Sequence, residues 1–298
     1  MAADFDFTGK RIVMTGATDG IGLAAARVFA AGGAELTLVA RDPGKVSATA
    51  AHLSSVSPQR TAVQSILADL SLQAEVRRAS AEIAARHPQI DVLINNAGAM
   101  FNRRIITADG IELTWALNHL APYLMTNLLL DRLKAAPAAR VVTTASDAHW
   151  RGGEIPFDDI NAERGYRGFT RYGQSKLANI LFTRALGQRL LGTPVSASCY
   201  HPGLVATNFN RNNGPLMNLV MQAAKLVART PQKGAETMVW LAGAPEATSV
   251  NGGYFFDEHI GRSSLAAHDD DAATRLWRLS EQQVAASALP PASRAIPD

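Results

Sequence analysis

The segment RIVMTGATDGIG, residues 11–22, joins a short apolar run to three glycines, Gly16, Gly20 and Gly22. The apolar run predicts a β-strand, and the following GLAAARVFAAGG predicts a helix that ends at glycines. Glycines at such a turn let the backbone approach a pyrophosphate, which the free N–H groups of the helix N-terminus can bind. The spacing is GxxxGxG rather than GxGxxG, so a plain tight turn stays open as the alternative.

The same alternation of strand and helix continues along the chain. Further strand-like runs are AELTLVA, TAVQSILA, DVLINN, RVVTTAS and VSASCYH. Mostly apolar strands with helical crossovers predict a parallel sheet that is covered by helices on both faces. We therefore expect an α/β fold of the doubly wound Rossmann type, with about seven strands, in one domain over residues 1–288. The composition of residues 289–298 predicts a loose tail.

The composition limits the possible functions. The 298 residues are 47% hydrophobic and 18% charged, and the net charge of +3 comes from scattered basic residues. This pattern excludes the basic stripe of a nucleic-acid-binding surface. The single cysteine, Cys199, rules out an intrachain disulfide framework, and no signal peptide is recognisable, which together predict a cytoplasmic protein. No membrane anchor and no metal ligands are expected.

The glycine turn and the end of the second strand are candidates for holding a dinucleotide. The second strand ends in LVARD, where Arg41 can hold the 2′-phosphate of NADP through charge-assisted hydrogen bonds. Asp42 stands where an acid would favour NAD, but it precedes Pro43 and suits the N-cap of the next helix. NADP is therefore preferred to NAD, with a solvated Arg41 as the alternative. The contacts expected at the turn are Gly16, Thr18, Asp19, Gly20, Ile21 and Gly22.

Two later segments suit the same cofactor. Asp69 and Leu70 follow the third strand, where the Asp69 carboxylate can accept a hydrogen bond from an adenine amino group or begin a helix. The fourth strand ends in NNAG, where a cofactor can lie against the backbone of Asn96, Ala97 and Gly98.

The motifs, taken in order, resemble those of the short-chain dehydrogenase/reductase family, and most closely its retinol-dehydrogenase-like branch. TGATDGIG, NNAG, the serine after VVTTA, YGQSK and HPGLVAT occur in the family's order, and LNHLAPYLMTNLLL, YGQSKLANILFT and RLWRLS are similar to segments of the branch. The resemblance implies an NADP(H)-dependent oxidoreductase that interconverts a carbonyl and an alcohol on a lipophilic small molecule. It also implies a homodimer or homotetramer that pairs through the helices holding Asn118 and Tyr172.

The resemblance further implies four catalytic residues, Asn118, Ser146, Tyr172 and Lys176. Tyr172 and Lys176 lie one helical turn apart, so the lysine charge can lower the phenol pKa from about 10 toward neutrality for acid–base catalysis. Ser146 donates a hydrogen bond to the substrate oxygen. Asn118 holds a helix distortion and a water that relays protons to Lys176. Alone, each has an ordinary alternative: a surface Tyr–Lys pair, a turn serine and a satisfied core amide.

Two more segments complete the expected site. HPGLVAT places Pro202 and Gly203 after the sixth strand, where groups around Val205 and Thr207 can bind a nicotinamide carboxamide, while Lys176 bonds the nicotinamide ribose beside Tyr172. Residues 208–230 carry apolar side chains that suit a lid over an apolar substrate, with an amphipathic helix packed on the core as the alternative.

Two other functions stay open. A cofactor-binding regulatory protein without turnover usually lacks the tyrosine, lysine or serine, and all three are present. A light-dependent tetrapyrrole reductase, from a related family, carries a cysteine directly after the Pro-Gly of the sixth strand. Leu204 occupies that position here.

Overall fold

The computed structural model describes residues 5–59, 62–205 and 228–286. Within these ranges, one sheet has the strand order β3-β2-β1-β4-β5-β6-β7-β8. The first seven strands are parallel, and the short β8 is antiparallel to β7. The expected parallel sheet of about seven strands is confirmed, with β8 added at one edge. The strands are β1 Arg11–Thr15, β2 Glu35–Ala40, β3 Gln64–Leu67, β4 Val92–Asn95, β5 Ala139–Thr144, β6 Val195–Tyr200, β7 Gly253–Phe256 and β8 His259–Ile260.

Helices join the strands and follow the sequence signals at their ends. The Asp42 carboxylate accepts a hydrogen bond from the Lys45 N–H at 2.9 Å, which confirms Asp42 as a helix N-cap, and Gly32 ends the first helix. A π turn, Ala116–Leu120, joins two helices, and 3₁₀ turns lie at Pro245–Thr248 and Leu265–His268. The helices are α1 Gly20–Ala31, α2 Pro43–Val56, α3 Gln73–Arg86, α4 Leu113–Trp115, α5 Ala121–Leu128, α6 Leu130–Lys134, α7 His149–Gly152, α8 Gly168–Arg189, α9 Pro231–Gly243 and α10 Asp270–Ala286.

The sheet has a hydrophobic core on each face. Successive strand residues alternate between the two cores, so that Val13 packs on one side while Ile12 and Met14 pack on the other. One core includes Phe29 of α1, and the other includes Phe182 of α8. Burial on both faces explains why the strands are almost continuously apolar.

Helix α10 lies across α5 and α8. The Trp277 ring is 5.1 Å from the Tyr123 ring and 5.9 Å from the Phe182 ring, centroid to centroid, and the Arg189 guanidinium lies 4.0 Å from the Trp277 centroid. The expected subunit pairing used this same pair of helices. Trp277 fills the groove between α5 and α8, and the pairing of subunits stays a prediction.

The chain order places a crevice between β1 and β4. The first three strands run outward from β1, and the fourth returns to its other side, so the connections diverge at this point. Ligands of doubly wound folds bind at the carboxyl ends of the strands where the order reverses.

Within the described ranges, no helix has the length and apolarity needed to cross a membrane. Thr207, most of the predicted lid and the predicted tail, residues 289–298, lie outside the described residues.

Candidate active site

The glycine turn leaves no room for a side chain at Gly16 or Gly22. Gly16 has φ +67°, and a Cβ on Gly22 would lie 2.0 Å from the Gly16 carbonyl oxygen and 2.6 Å from the Asn96 amide nitrogen. Glycine is therefore the residue that both positions require, and the backbone stays open at the start of α1. This bare turn fits the close approach of a pyrophosphate. The other residues expected there lie together, with Thr18 and Asp19 in the turn and Gly20 and Ile21 opening α1.

Asn96 holds the turn in place from the neighbouring strands. Its amide nitrogen donates to the Gly16 carbonyl oxygen at 2.9 Å, and its amide oxygen accepts from the Thr144 hydroxyl at 3.1 Å. The Thr15 hydroxyl accepts from the backbone N–H groups of Asn96 and Ala97, each at 3.0 Å. These bonds connect β1, β4 and β5 at their carboxyl ends. Sequence reasoning expected a cofactor contact at Asn96 and missed this supporting role.

Arg41 and Asp42 follow β2, and the structure separates their roles. Asp42 is committed to the N-cap of α2. Arg41 is exposed, and none of the described residues forms an ion pair with it. An exposed guanidinium can bind an anionic group, whereas the Asp42 carboxylate is already occupied by the helix N–H.

Asp69 and Leu70 lie just beyond β3. The Asp69 carboxylate accepts from the Ser71 N–H at 3.0 Å and from the Ser71 hydroxyl at 2.7 Å, which is a local turn. Helix α3 begins at Gln73 with Leu72 as its N-cap, so Asp69 precedes the helix rather than capping it. Leu70 is buried.

Asn118 lies inside the π turn, where the Ala121 N–H bonds to the Ala116 carbonyl. Its amide is fully used by protein groups: the oxygen accepts from the Ala99 N–H at 2.8 Å, and the nitrogen donates to the Ala99 carbonyl at 2.9 Å and the Ser175 hydroxyl at 3.0 Å. The helix distortion and the satisfied core amide are thus both present. The amide ties the loop after β4 to α8.

Lys176, Tyr172 and Ser146 meet at the carboxyl end of β5. The buried Lys176 ammonium donates to the Thr144 carbonyl at 2.8 Å and lies 5.5 Å from the centre of the Tyr172 ring. Ser146 hydrogen-bonds the Tyr172 phenol although 26 residues separate them in sequence. A Cβ on Gly98 would lie 3.1 Å from the Asn118 amide oxygen and 3.5 Å from the Lys176 nitrogen. The NNAG backbone therefore borders the same group.

The pKa values in this cluster differ from the sequence expectation. Burial raises the pKa of Tyr172 to about 12, against the lowering effect of the Ser146 hydrogen bond. Burial also lowers the pKa of Lys176 to about 7. The expected phenol pKa near neutrality is therefore not produced by the chain's own groups, because loss of water outweighs the Ser146 hydrogen bond.

The segment after β6 borders the glycine turn. Gly203 has φ +84°, which favours glycine. The Cβ position of Gly234, on α9, is 2.7 Å from a Val205 methyl, 2.9 Å from an Ile21 methyl and 3.4 Å from the Pro202 carbonyl oxygen. The two segments thus meet at one point beside α9.

Two histidines near Ser146 serve as loop contacts. His149 donates from Nδ1 to the Ser146 carbonyl at 2.8 Å, and its Nε2 accepts from the Ser264 N–H at 3.1 Å. His201 Nδ1 accepts from the Asp147 N–H at 3.1 Å. Burial lowers the pKa of His149 and that of His201, the latter to about 4. Both rings are neutral near pH 7, and His149 links the Ser146 carbonyl to the Ser264 loop.

A buried ion pair beside Tyr172 escaped sequence reasoning. Arg171 donates from Nε to the Glu112 carboxylate at 2.8 Å, and both side chains are almost completely buried. The Tyr166 hydroxyl bonds to the Glu112 carboxylate at 3.2 Å and to the Phe101 carbonyl at 2.8 Å. The available signal was a glutamate inside the apolar run IELTW, without any hint of its partner.

Comparisons with known proteins agree with this geometry. The sequence profile of the family described as short chain dehydrogenase matches residues 10–217. The chain belongs to this family. Its similarity to retinol dehydrogenases is high: retinol dehydrogenase 14 of Mus musculus is 38% identical over 93% of this chain and 86% of that protein. Within the short-chain dehydrogenases the chain is therefore retinol-dehydrogenase-like.

Two further relatives of this short-chain dehydrogenase bear on its chemistry. A Streptomyces sp. (strain C5) protein named "Putative daunorubicin C-13 ketoreductase DnrU" is 36% identical over 93% of each chain. The crystal structure of a short chain dehydrogenase from Burkholderia cenocepacia J2315 in complex with NADP is 25% identical, covers 84% of this chain and 96% of its own, and has a TM-score of 0.66.

Proposed function

We propose that this short-chain dehydrogenase uses NADP(H) to interconvert a carbonyl and an alcohol on a lipophilic small molecule. The observation that carries the proposal is the meeting of Ser146, Tyr172 and Lys176 at the end of β5, together with a glycine turn that has no room for a side chain at Gly16 or Gly22. Its retinol dehydrogenase and ketoreductase relatives support the same class of reaction.

The cofactor, when bound, supplies or accepts the hydride at the carbonyl carbon. We assign its pyrophosphate to the glycine turn, its 2′-phosphate to Arg41 and its adenine to Asp69. Two observations support NADP over NAD. Arg41 is exposed, and the Asp42 carboxylate, which would otherwise bind a ribose hydroxyl of NAD, is the N-cap of α2. The NADP complex of the Burkholderia relative supports the same choice. The remaining cofactor contacts are assigned to Leu70, Asn96, Ala97, Gly98, Pro202, Gly203, Val205 and Thr207.

Tyr172 handles the proton in this proposal. In carbonyl reduction its phenol gives a proton to the substrate oxygen, and the Ser146 hydroxyl donates a hydrogen bond to the same oxygen. A phenol with a pKa of about 12 is protonated near pH 7, which suits the acid required for reduction. Alcohol oxidation needs the phenolate of Tyr172. Positive charge on Lys176, and on the oxidised nicotinamide ring when the cofactor is bound, would stabilise that phenolate.

Lys176 and Asn118 support that proton transfer. The Lys176 ammonium lies close enough to stabilise charge on Tyr172 and bonds the Thr144 carbonyl. Asn118 holds the loop after β4 against α8, and we assign it the water that relays protons to Lys176.

The surroundings of the site support a lipophilic substrate. Trp150 and Leu204 follow Ser146 and Gly203 closely in the chain and have 50% and 55% of their surfaces exposed. Leu265, next to the Ser264 contact with His149, is 91% exposed. Apolar surface at the rim of a site favours apolar ligands. We further propose a cytoplasmic location and self-assembly into a homodimer or homotetramer.

The proposal is tested by NADPH absorbance with a panel of lipophilic aldehydes and ketones. Tyr172→Phe is expected to lose at least about 100-fold in kcat, the usual contribution of a general acid, while NADPH binding stays within about twofold. Tyr123→Phe, on α5 and away from the site, is the matched control and keeps its activity. Unchanged turnover in Tyr172→Phe would refute the acid assignment. Absence of turnover by the wild type across the panel, with NADPH bound, would favour the regulatory alternative.

A further inference from the structure

A short turn at the edge of the sheet has an unusual backbone. Asp257 and Glu258 form the two-residue turn between β7 and β8, and both have a positive φ, at +48° and +66°. Such values at both central residues are typical of a type I′ turn, where glycine or asparagine is usually found. The Glu258 N–H donates to the Thr237 hydroxyl of α9 at 3.3 Å, which fixes the turn to that helix. Other residues held in this conformation cost free energy and often mark a functional site.

Asp257 uses this position to bind Arg229. The Arg229 guanidinium donates from both terminal nitrogens to the two Asp257 oxygens, with Nη2 to Oδ2 at 2.8 Å. It also lies 4.7 Å from the centre of the Phe256 ring. The hydrogen bond from Arg229 lowers the pKa of Asp257, so both groups are charged near pH 7. A bidentate pair of this kind fixes the orientation of the guanidinium as well as its position.

Arg229 also contacts the segment that follows β6. Its backbone N–H donates to the Leu204 carbonyl at 2.7 Å, and its backbone pairs with Val205 in an isolated parallel bridge. A Cβ on Gly203 would lie 2.6 Å from Arg229 Cδ and 2.7 Å from Nε, so the arginine side chain lies directly against the Gly203 backbone. Three consecutive residues of HPGLVAT are therefore held by one arginine.

The same segment reaches the cofactor crevice. The Cβ position of Gly234, on α9, is 2.7 Å from a Val205 methyl and 2.9 Å from an Ile21 methyl at the start of α1. Val205 thus lies beside the helix start to which the pyrophosphate is assigned. The proposed function assigns the backbone of residues 203–205 to the nicotinamide end of the cofactor.

We propose that the Arg229–Asp257 pair positions the backbone of residues 203–205 to bind the nicotinamide end of NADP(H). Both are positioning residues, because they act through that backbone. The pair connects the segment to the turn after β7, which α9 holds in place, so the segment keeps one conformation before the cofactor binds. A binding group that is already ordered loses less conformational entropy when its ligand arrives. The inference rests on the proposed use of NADP(H).

The test compares the binding of NADPH with that of adenosine 2′,5′-bisphosphate, which carries the adenine half and the 2′-phosphate but no nicotinamide. Asp257→Asn removes the charge that holds the guanidinium, and asparagine tolerates the positive φ of this turn. The variant is expected to raise the Kd for NADPH by about fivefold, which corresponds to the loss of about one neutral hydrogen bond. The Kd for the bisphosphate is expected to stay unchanged. Isothermal titration calorimetry measures both values without any turnover.

Two further comparisons separate positioning from stability. The matched control is Asp270→Asn, which breaks the 2.7 Å bond from Arg184 between α10 and α8 and is expected to lower Tm without changing either Kd. Arg229→Met is expected to weaken NADPH binding as Asp257→Asn does. Arg229→Lys keeps the charge but not the forked geometry, so its Kd for NADPH is expected to fall between those of the wild type and Arg229→Met.

The outcomes distinguish the inference from the proposed function. Equal losses for NADPH and the bisphosphate in Asp257→Asn would reduce the pair to a structural role and overturn the inference. Unchanged binding of both ligands would overturn it as well. A wild type that binds neither ligand would refute the proposed use of NADP(H), and the inference would fail with it.

Discussion

Replacing Arg171 by methionine tests how much the buried ion pair contributes to the fold. Arg171 and Glu112 are 1% and 0% exposed, and the guanidinium also lies 4.7 Å from the centre of the Trp115 ring. Removing one partner of a buried pair leaves a stranded charge and costs about 3–5 kcal/mol. Here the Glu112 carboxylate keeps hydrogen bonds from Thr114 N–H, Trp115 N–H and the Tyr166 hydroxyl. We therefore expect the lower end of that range, about 3 kcal/mol.

The assay is urea unfolding followed by circular dichroism. With an m-value of about 3 kcal/mol per molar urea, the expected loss lowers the midpoint by about 1 M. The matched control is Arg164→Met, which breaks the 2.5 Å bond to Asp158 on the surface, where the side chains are 67% and 70% exposed. An exposed pair contributes at most about 1 kcal/mol, so the control moves the midpoint by no more than about 0.3 M.

A double variant separates lost charge from lost packing. Glu112→Gln in the Arg171→Met background removes the stranded charge and keeps one oxygen for the Thr114 N–H and the Tyr166 hydroxyl, which share Oε1, and only the bond from the Trp115 N–H to Oε2 is lost. The double variant is therefore expected to be more stable than Arg171→Met alone. Equal midpoint shifts for Arg171→Met and Arg164→Met, or a double variant weaker than the single one, would refute the reasoning.

Three further predictions concern the cofactor site and its lysine. Arg41→Ala is expected to raise the Kd for NADPH by about tenfold or more, because about 1.5–3 kcal/mol of charge-assisted hydrogen bonding to the 2′-phosphate is lost. The Kd for NADH is expected to stay unchanged. Fluorescence titration measures both values, and equal effects on the two cofactors would contradict the assignment. Gly22→Ala is expected to lower the urea midpoint and abolish NADPH binding, because the new Cβ would lie 2.0 Å from the Gly16 carbonyl oxygen. The control Gly44→Ala in α2, whose Cβ would lie 3.5 Å from its nearest neighbour, is expected to be neutral or stabilising by about 0.5–1 kcal/mol. Similar effects of the two substitutions would contradict this prediction. Lys176→Met tests the lowered lysine pKa. Lys176 of the wild type releases its proton near pH 7 in the folded chain and near pH 10.5 in the unfolded chain, so wild-type stability rises with pH between these values. The unfolding free energy of the variant is therefore expected to exceed that of the wild type most at pH 6 and least at pH 10, and a difference that does not change with pH would contradict the lowered pKa.

Much of the fold was predictable from local sequence. Some signals act over only a few residues, so they can be recognised without knowledge of the rest of the chain. They include the apolar strands, the glycines at the first turn and the helix start at Asp42-Pro43. The spacing of Tyr172 and Lys176 on one helix face is equally local. The order of such motifs sufficed to predict a doubly wound sheet and to nominate the residues of the site.

The properties of those residues depended on long-range packing. The pKa of Tyr172 rises rather than falls, because the surrounding elements remove water that no motif records. Asn96 supports the glycine turn from another strand, and the Glu112–Arg171 pair spans 59 positions. These contacts form only when the sheet brings distant segments together.

Helix α10 illustrates the same division. The structure has α10 run over Asp270–Ala286, with Asp270 and Asp271 in its first turn, where acidic side chains favour a helix start. Its position over α5 and α8, with Trp277 in their groove and Ser280 on His119, follows from the shape of the core. Helix formation depends on hydrogen bonds within a few residues, whereas docking depends on complementary surfaces built by segments far apart in the chain.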